Sequence, residues 1–221
     1  MRESERNIRV LFLRHGATPG NLEHRYVGRT DEDLTKESAD RIRKAAPSWR
    51  DRNLTGRIAV ITSPLLRCTR TADLLVGSDR KVVREDDGNG TVIFRRTVTD
   101  FRETDFGAFE YKNFEELSGN PDYQRFIDSN GETPFPGGES REAVRKRVLP
   151  AFTEVVSSLS DIPDLTLVLF VLHGGTIMTI LSTYDEQPKD FYSYQCGNLQ
   201  GFSGTLCFHP LCIREVMPYG L

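Results

Sequence analysis

The 221-residue sequence contains four histidines, at positions 15, 24, 173 and 209. Cysteine is equally scarce. Cys68, Cys196, Cys207 and Cys212 form no CxxC pair, which argues against a disulfide framework and leaves unpaired buried thiols as the expected state. Cys207-Phe208-His209-Pro210-Leu211-Cys212 places three metal-capable side chains close together, but zinc sites use four ligands at tighter spacing, so a strand end is expected there. An excess of basic charge is also missing, with 29 Lys+Arg against 32 Asp+Glu and a net charge of −3. Sequence-independent nucleic-acid binding and polybasic membrane attachment both need clustered cations, so neither nucleic acid nor membrane is an expected partner. The longest apolar run, Leu165–Leu172, is far short of the roughly 20 residues that cross a bilayer. MRESERNIRV at the N-terminus has no apolar signal core, and a cytoplasmic location is the expectation. There is no GxxxxGK[ST] phosphate loop, and the acidic stretch within residues 78–90 lacks the EF-hand pattern. That stretch reads as a solvated loop with an Asn-Gly turn.

What is present is a repeated pairing of apolar strand and helix. Ile8–Leu13, Ile58–Thr62 and Leu165–Leu172 read as buried strands, each followed by a turn. Helices are expected over about residues 35–51, 65–76, 140–158 and 176–183, with Thr35 as an N-cap and Pro64 just inside the second start. Continuous apolar strands alternating with helices imply a parallel sheet covered on both faces. The fold class is α/β, a three-layer α/β/α sandwich with a mostly parallel central sheet. No linker, repeat or low-complexity stretch divides the chain, so one domain spans residues 1–221, with a lid-like insertion at about 105–135.

Ligands of open α/β sheets bind at the carboxyl ends of the strands. His15 and His173 each directly follow a predicted strand, and each is followed by glycine. Arg14 precedes His15, and Arg67 lies in the first helical turn after Ser63-Pro64. If the three strands are neighbours, two histidines and two arginines converge. Such a cluster suits a phosphoryl group, because a guanidinium donates a planar fork of hydrogen bonds to phosphate oxygens.

Leu13-Arg14-His15-Gly16-Ala17-Thr18-Pro19-Gly20-Asn21 resembles the LRHGxTxxN signature of the histidine phosphatase, or phosphoglycerate mutase-like, superfamily. The resemblance continues through Gly28, Asp31 and Leu34-Thr35, then Ser63–Ala72, Phe101–Glu110, Pro136–Ser140 and His173-Gly174-Gly175. The pattern looks most like small bacterial phosphatases of the α-ribazole phosphatase kind. It implies that His15 is the nucleophile that accepts the phosphoryl group and that Glu103 is the general acid and later the base. It further implies that His173 shares the catalytic centre, and that Arg14, Asn21, Arg67 and Gly174 bind phosphate. Thr18, His24, Tyr111 and Asn198 are candidates for the substrate pocket, with His24 at its rim, and His209 reads as structural. Neither metal nor cofactor is implied, since a cationic cluster can do the electrostatic work that Mg²⁺ does elsewhere.

Phe109-Glu110-Tyr111 departs from the family's Trp-Glu-Gly at that point. Phe109, Tyr111, Phe114, Tyr123 and Phe126 either line an apolar pocket or pack a small helical lid. The expected activity is metal-independent hydrolysis of a small-molecule phosphate monoester, by a monomer or homodimer. Phosphoglycerate mutase is the alternative enzyme, and a phosphate-binding regulatory protein of the same fold is the alternative from another class.

Overall fold

The computed structural model describes residues 7–77 and 91–221; the expected loop at 78–90 lies outside them. Six strands form one sheet in the order β3-β2-β4-β1-β5-β6. They are β1 Asn7–Arg14, β2 Arg57–Thr62, β3 Thr91–Thr97, β4 Leu165–Leu172, β5 Gln200–Phe208 and β6 Leu211–Gly220. β3, β2, β4 and β1 are mutually parallel, β5 pairs antiparallel with β1, and β6 pairs antiparallel with β5. The helices are α1 Pro19–Leu22, α2 Lys36–Asn53, α3 Leu66–Val76, α4 Pro121–Asp128, α5 Arg141–Ser160 and α6 Gly174–Tyr184.

Alternation along the central strands divides the core in two. Val10, Phe12, Ala59, Ile61, Val168 and Phe170 face α5 and α6, packing on Val148, Phe152, Ile177 and Ile180. Leu11, Leu13, Val60, Leu169 and Val171 face the other way, onto Ile42, Trp49, Cys68 and Leu75 of α2 and α3. Both faces are buried, which explains why these strands read as unbroken apolar runs. The three-layer α/β/α expectation holds.

The structure corrects several boundaries. Pro64 lies before the start of α3, whose N-cap is Leu65. α6 begins at Gly174, two residues earlier than expected, with His173 as its N-cap. Thr35 and Ser140 cap α2 and α5 through their hydroxyls, accepting from the Ser38 and Ala143 amides. α2 continues through Pro47, because the segment beyond it buries Trp49; side-chain packing outweighs the lost N–H. β3, β5, β6, α1 and α4 are absent from the sequence reading. β6 alternates only weakly, with most of its residues partly or fully exposed. The Cys207–Cys212 segment is the turn of the β5–β6 hairpin, with the two cysteines opposite each other. Among the described residues, no helix is long and apolar enough to cross a membrane.

Candidate active site

Four parallel strands deliver their carboxyl ends to one place. β1 ends in Arg14 and is followed by His15, β4 is followed by His173, and β2 by Ser63. β3 leads through the short turn Thr99–Phe101 to Glu103. β1 and β2 both flank β4, so the convergence expected of the two histidines is realised. Their ring centroids lie 5.1 Å apart in an edge-on arrangement.

His15 is almost wholly buried. Its Nδ1 lies 2.7 Å from the carbonyl oxygen of Gly16. A carbonyl only accepts, so Nδ1 carries the ring proton and Nε2 keeps a free lone pair. Burial lowers the His15 pKa well below its ordinary value, and Arg67 and Arg14 push it the same way. The ring is neutral near pH 7, as a nucleophile requires. Gly16 makes this possible by its small size, since a Cβ there would lie 2.5 Å from Ser38 Oγ. The Gly16 amide donates to Thr71 Oγ1 at 2.9 Å.

Arg67 is fully buried. Its Nη1 donates to Thr30 O at 2.8 Å, and its Nη2 donates to Val27 O and Gly28 O. Glu110 shapes that loop by accepting from the Gly28 and Thr30 amides and the Thr30 hydroxyl. Asp31 accepts from the Leu66 amide at 2.7 Å and so caps α3, which has no side-chain cap of its own. Arg14 donates through Nη1 to Cys196 O at 2.7 Å. The Nε atoms of Arg14 and Arg67 are both buried without a hydrogen-bond partner. Two unsatisfied guanidinium donors on the residues whose charges act on His15 call for an anionic acceptor.

His173 is fully buried, and its Nε2 lies 2.6 Å from Ser63 Oγ. The Ser63 hydroxyl suits either protonation state, donating to a neutral ring or accepting from a charged one. Burial, Arg67 and His15 hold the His173 pKa well below its usual value. Glu103 accepts from the Thr104 amide at 2.8 Å and from the Gly175 amide at 3.4 Å. A Cβ on Gly175 would lie 2.6 Å from Glu103 Oε1, so glycine is what lets α6 approach the carboxylate.

Thr18 is the N-cap of α1, locked with Asn21 in a reciprocal capping box. Asn198 Nδ2 donates to His15 O at 3.0 Å and to Asn21 Oδ1 at 3.1 Å. These contacts make Thr18 and Asn198 part of the frame around His15 and turn the Asn21 amide nitrogen into the end left to donate. Gly174 is the first residue of α6. His24 is exposed, with a left-handed backbone. Tyr111 points its hydroxyl to Glu32 at 2.7 Å and packs its ring under Arg25. Neither His24 nor Tyr111 lines the cavity beside Glu103.

That cavity holds about 200 Å³, with Tyr26, Phe106, Phe126, Phe135, Met178 and Phe191 in its walls and Glu103 and Thr104 on one side. Of the aromatics singled out in the sequence, Phe126 lines it. Phe109 is buried with Leu117 and Phe135 in a small cluster that shares Phe135 with the cavity wall, Tyr123 packs against that cluster, and Phe114 is exposed. Sequence reasoning missed Ser63 as the partner of His173, and it missed the Arg147–Glu139 pair. Arg147 on α5 donates to Asp100 O, Arg102 O and Glu103 O, and Glu139 accepts from the Asp105 amide. Glu139 stands in the Pro-Gly-Gly-Glu-Ser motif, but nothing in the sequence ties it to Arg147.

Known proteins resemble this chain in sequence and in fold. A "Probable phosphoglycerate mutase GpmB" of Escherichia coli O1:K1 is 26% identical over 181 residues, covering 80% of this chain and 74% of that protein. A 2,3-bisphosphoglycerate-dependent phosphoglycerate mutase of Rhizobium etli is 30% identical over 174 residues, covering 77% of each. Among solved structures, a putative α-ribazole-5'-P phosphatase of Escherichia coli K-12 superposes with a TM-score of 0.74 at 18% identity, covering 97% of this chain and 96% of that one. A mycobacterial glucosyl-3-phosphoglycerate phosphatase superposes with a TM-score of 0.70 at 26% identity, covering 96% and 98%. Residues 10–200 match the histidine phosphatase superfamily (branch 1), and the chain belongs to that family.

Proposed function

We propose that the protein is a phosphatase that hydrolyses a small-molecule phosphate monoester through a phosphohistidine on His15. The observation that carries this reading is the His15 ring itself. Its Nδ1 is anchored to Gly16 O, and it is flanked by two arginines whose buried Nε donors lack partners. The phosphoryl group binds against Arg14 and Arg67, with Asn21 as a neutral donor and the α6 N-terminus at Gly174 beside it. His15 Nε2 attacks phosphorus, a P–N bond forms, and the P–O bond to the alcohol breaks. Glu103 gives its proton to the departing oxygen. It then takes a proton from water, which attacks phospho-His15 and releases phosphate. His173, held by Ser63, stabilises charge on the phosphoryl oxygens, the main demand of this chemistry.

Phosphoglycerate mutase uses the same core, and two relatives carry that name. Its substrate bears a carboxylate, which needs cationic partners beside the reacting phosphate. Arg141 is the one cation among the residues lining the cavity at Glu103, and the rest of that lining favours hydrolysis of a less polar ester.

The test is a panel of phosphate monoesters assayed with EDTA present, comparing wild type with His15→Ala. The expected result is chelator-resistant hydrolysis that His15→Ala abolishes; activity surviving in the variant, or lost to EDTA, contradicts the reading. Adding 3-phosphoglycerate with a bisphosphate primer separates the two enzymes, because isomerisation outrunning phosphate release marks a mutase.

A further inference from the structure

We infer that the cavity beside Glu103 receives the alcohol half of the substrate, and that this alcohol is a flat, ring-bearing, largely apolar group. The inference rests on Glu103 as the proton donor and adds the class of leaving group to that reading.

Proton transfer requires the departing oxygen within hydrogen-bond reach of the Glu103 carboxyl. The carbon skeleton on that oxygen therefore lies within a few ångströms of Glu103. Glu103 and Thr104 form one side of the cavity, and Gly175, next to the phosphate-facing start of α6, forms another part of its lining. The cavity holds about 200 Å³ and opens to solvent, so its volume sets what sits against its walls while the rest of the alcohol can project outward. An apolar cavity of about 150 Å³ accommodates a benzene ring, so this one takes a single ring against its walls.

The walls argue for a ring. Phe106 meets Phe135 at 5.0 Å between centroids, nearly perpendicular, and Phe126 lies 4.5 Å from Phe135. The interlocked rings form a stiff apolar surface that rewards flat, apolar contact. A polyhydroxylated alcohol finds few partners there, and each buried hydroxyl left unpaired is disfavoured. The two lining threonines have spent their hydroxyl protons and can only accept: Thr104 Oγ1 donates to Glu103 at 3.3 Å, and Thr179 Oγ1 donates to Gly175 O at 2.8 Å.

Arg141 is built into the wall. Its guanidinium lies 4.4 Å from the Phe191 ring centroid and 5.4 Å from that of Tyr192. Its Nη2 donates to Asn130 O at 2.9 Å and to the Tyr192 hydroxyl at 3.3 Å, and its Nη1 lies 3.6 Å from Glu132 Oε1. These contacts fix the guanidinium as a flat closing surface and partly neutralise it.

Benzyl, ethyl and glycerol 1-phosphate test the inference, because their alcohols are of similar acidity and differ in what enters the cavity. Wild type should favour benzyl over ethyl phosphate by about 10- to 100-fold in kcat/KM, the range expected for burying one ring. Glycerol 1-phosphate should resemble ethyl phosphate. Phe126→Ala and Phe191→Ala should each lower the benzyl-to-ethyl ratio several-fold. Both substrates are assayed on the same preparation, so the ratio does not depend on how much of a variant folds. A wild-type ratio near one, a preference for glycerol 1-phosphate, or a ratio unchanged in both variants overturns the inference. His15→Ala distinguishes the two levels. Benzyl phosphate hydrolysis that survives this change sinks the phosphohistidine reading, whereas hydrolysis abolished by it alongside a wild-type ratio near one sinks only the leaving-group class.

Discussion

Arg147 grips the Glu139 carboxylate through two hydrogen bonds of 2.7 Å, one to each oxygen. The same guanidinium holds the carbonyls of Asp100, Arg102 and Glu103, and Glu139 holds the amide of Asp105. The chain carrying Glu103, the proposed proton donor, is thereby braced on both sides of that residue. All five Arg147 N–H donors are spent on this brace, and its charge still acts on His173.

A lysine at this position cannot span both the carboxylate and the three carbonyls. Arg147→Lys should misplace the Glu103 proton and slow alkyl phosphates about 100-fold, the usual scale of general-acid catalysis. Hydrolysis of 4-nitrophenyl phosphate, whose leaving group needs little proton assistance, should fall far less, as it should in Glu103→Gln. Equal losses on both substrates in Arg147→Lys, with the selective loss kept in Glu103→Gln, would show that the brace supports the fold and not the acid.

Ser63→Ala should leave the buried Nε2 of His173 without its 2.6 Å partner. Only the weaker Cys68 Sγ contact at 3.5 Å would remain on Nε2, so part of the about 1–3 kcal/mol cost of an unsatisfied buried group should appear as a lower urea midpoint with an unchanged slope. The turnover number should fall as well, since His173 loses the contact that orients it. Unchanged stability and turnover would mean that the hydroxyl is incidental.

The two buried histidines predict the acid response of the folded protein. Their pKa values are lowered in the folded state, so the unfolded chain binds protons first as pH falls. Their contribution to stability is complete above the unfolded pKa of about 6.5 and declines below it. Thermal unfolding between pH 7.5 and 5 should show this loss, and inorganic phosphate should offset it by binding the folded protein. A melting temperature that is flat over that range in wild type, and matched by His15→Gln, would contradict the assignment of a neutral, desolvated His15.

Gly16→Ala should be destabilising by about 1–3 kcal/mol, as overpacking of a tight site is. The new Cβ would press on Ser38 Oγ, with Ile42 and Leu34 also close at 3.2 Å. Denaturant unfolding measures the effect, and wild-type stability in the variant would show that α2 yields easily.

Much of this site was legible because the chemistry lies at the ends of strands whose apolar runs are unmistakable. Arg14, His15 and His173 are positioned by β1 and β4, both buried on two faces, so the sequence pattern and the fold coincide. Glu103 was found by its resemblance to family motifs, since β3 before it has no comparable apolar run. The contacts between distant segments were not legible. Arg147 meets residues 100–103 across more than 40 positions, and Ser63 meets His173 across 110. Such pairs exist only once the helices are laid on the sheet. The edge hairpin β5–β6 escaped for another reason: one of its strands is largely exposed, and its burial pattern is too weak to announce itself.

The central claim is a covalent phosphoryl group on His15. Wild type mixed with excess 4-nitrophenyl phosphate and quenched in alkali, where a phosphoramidate survives, should carry one acid-labile phosphoryl group on the peptide containing His15, seen by mass spectrometry. It should form at a rate no slower than turnover and be absent from His15→Ala. Full turnover with no trapped phosphoryl group at any time, or trapping at another residue, would contradict the account.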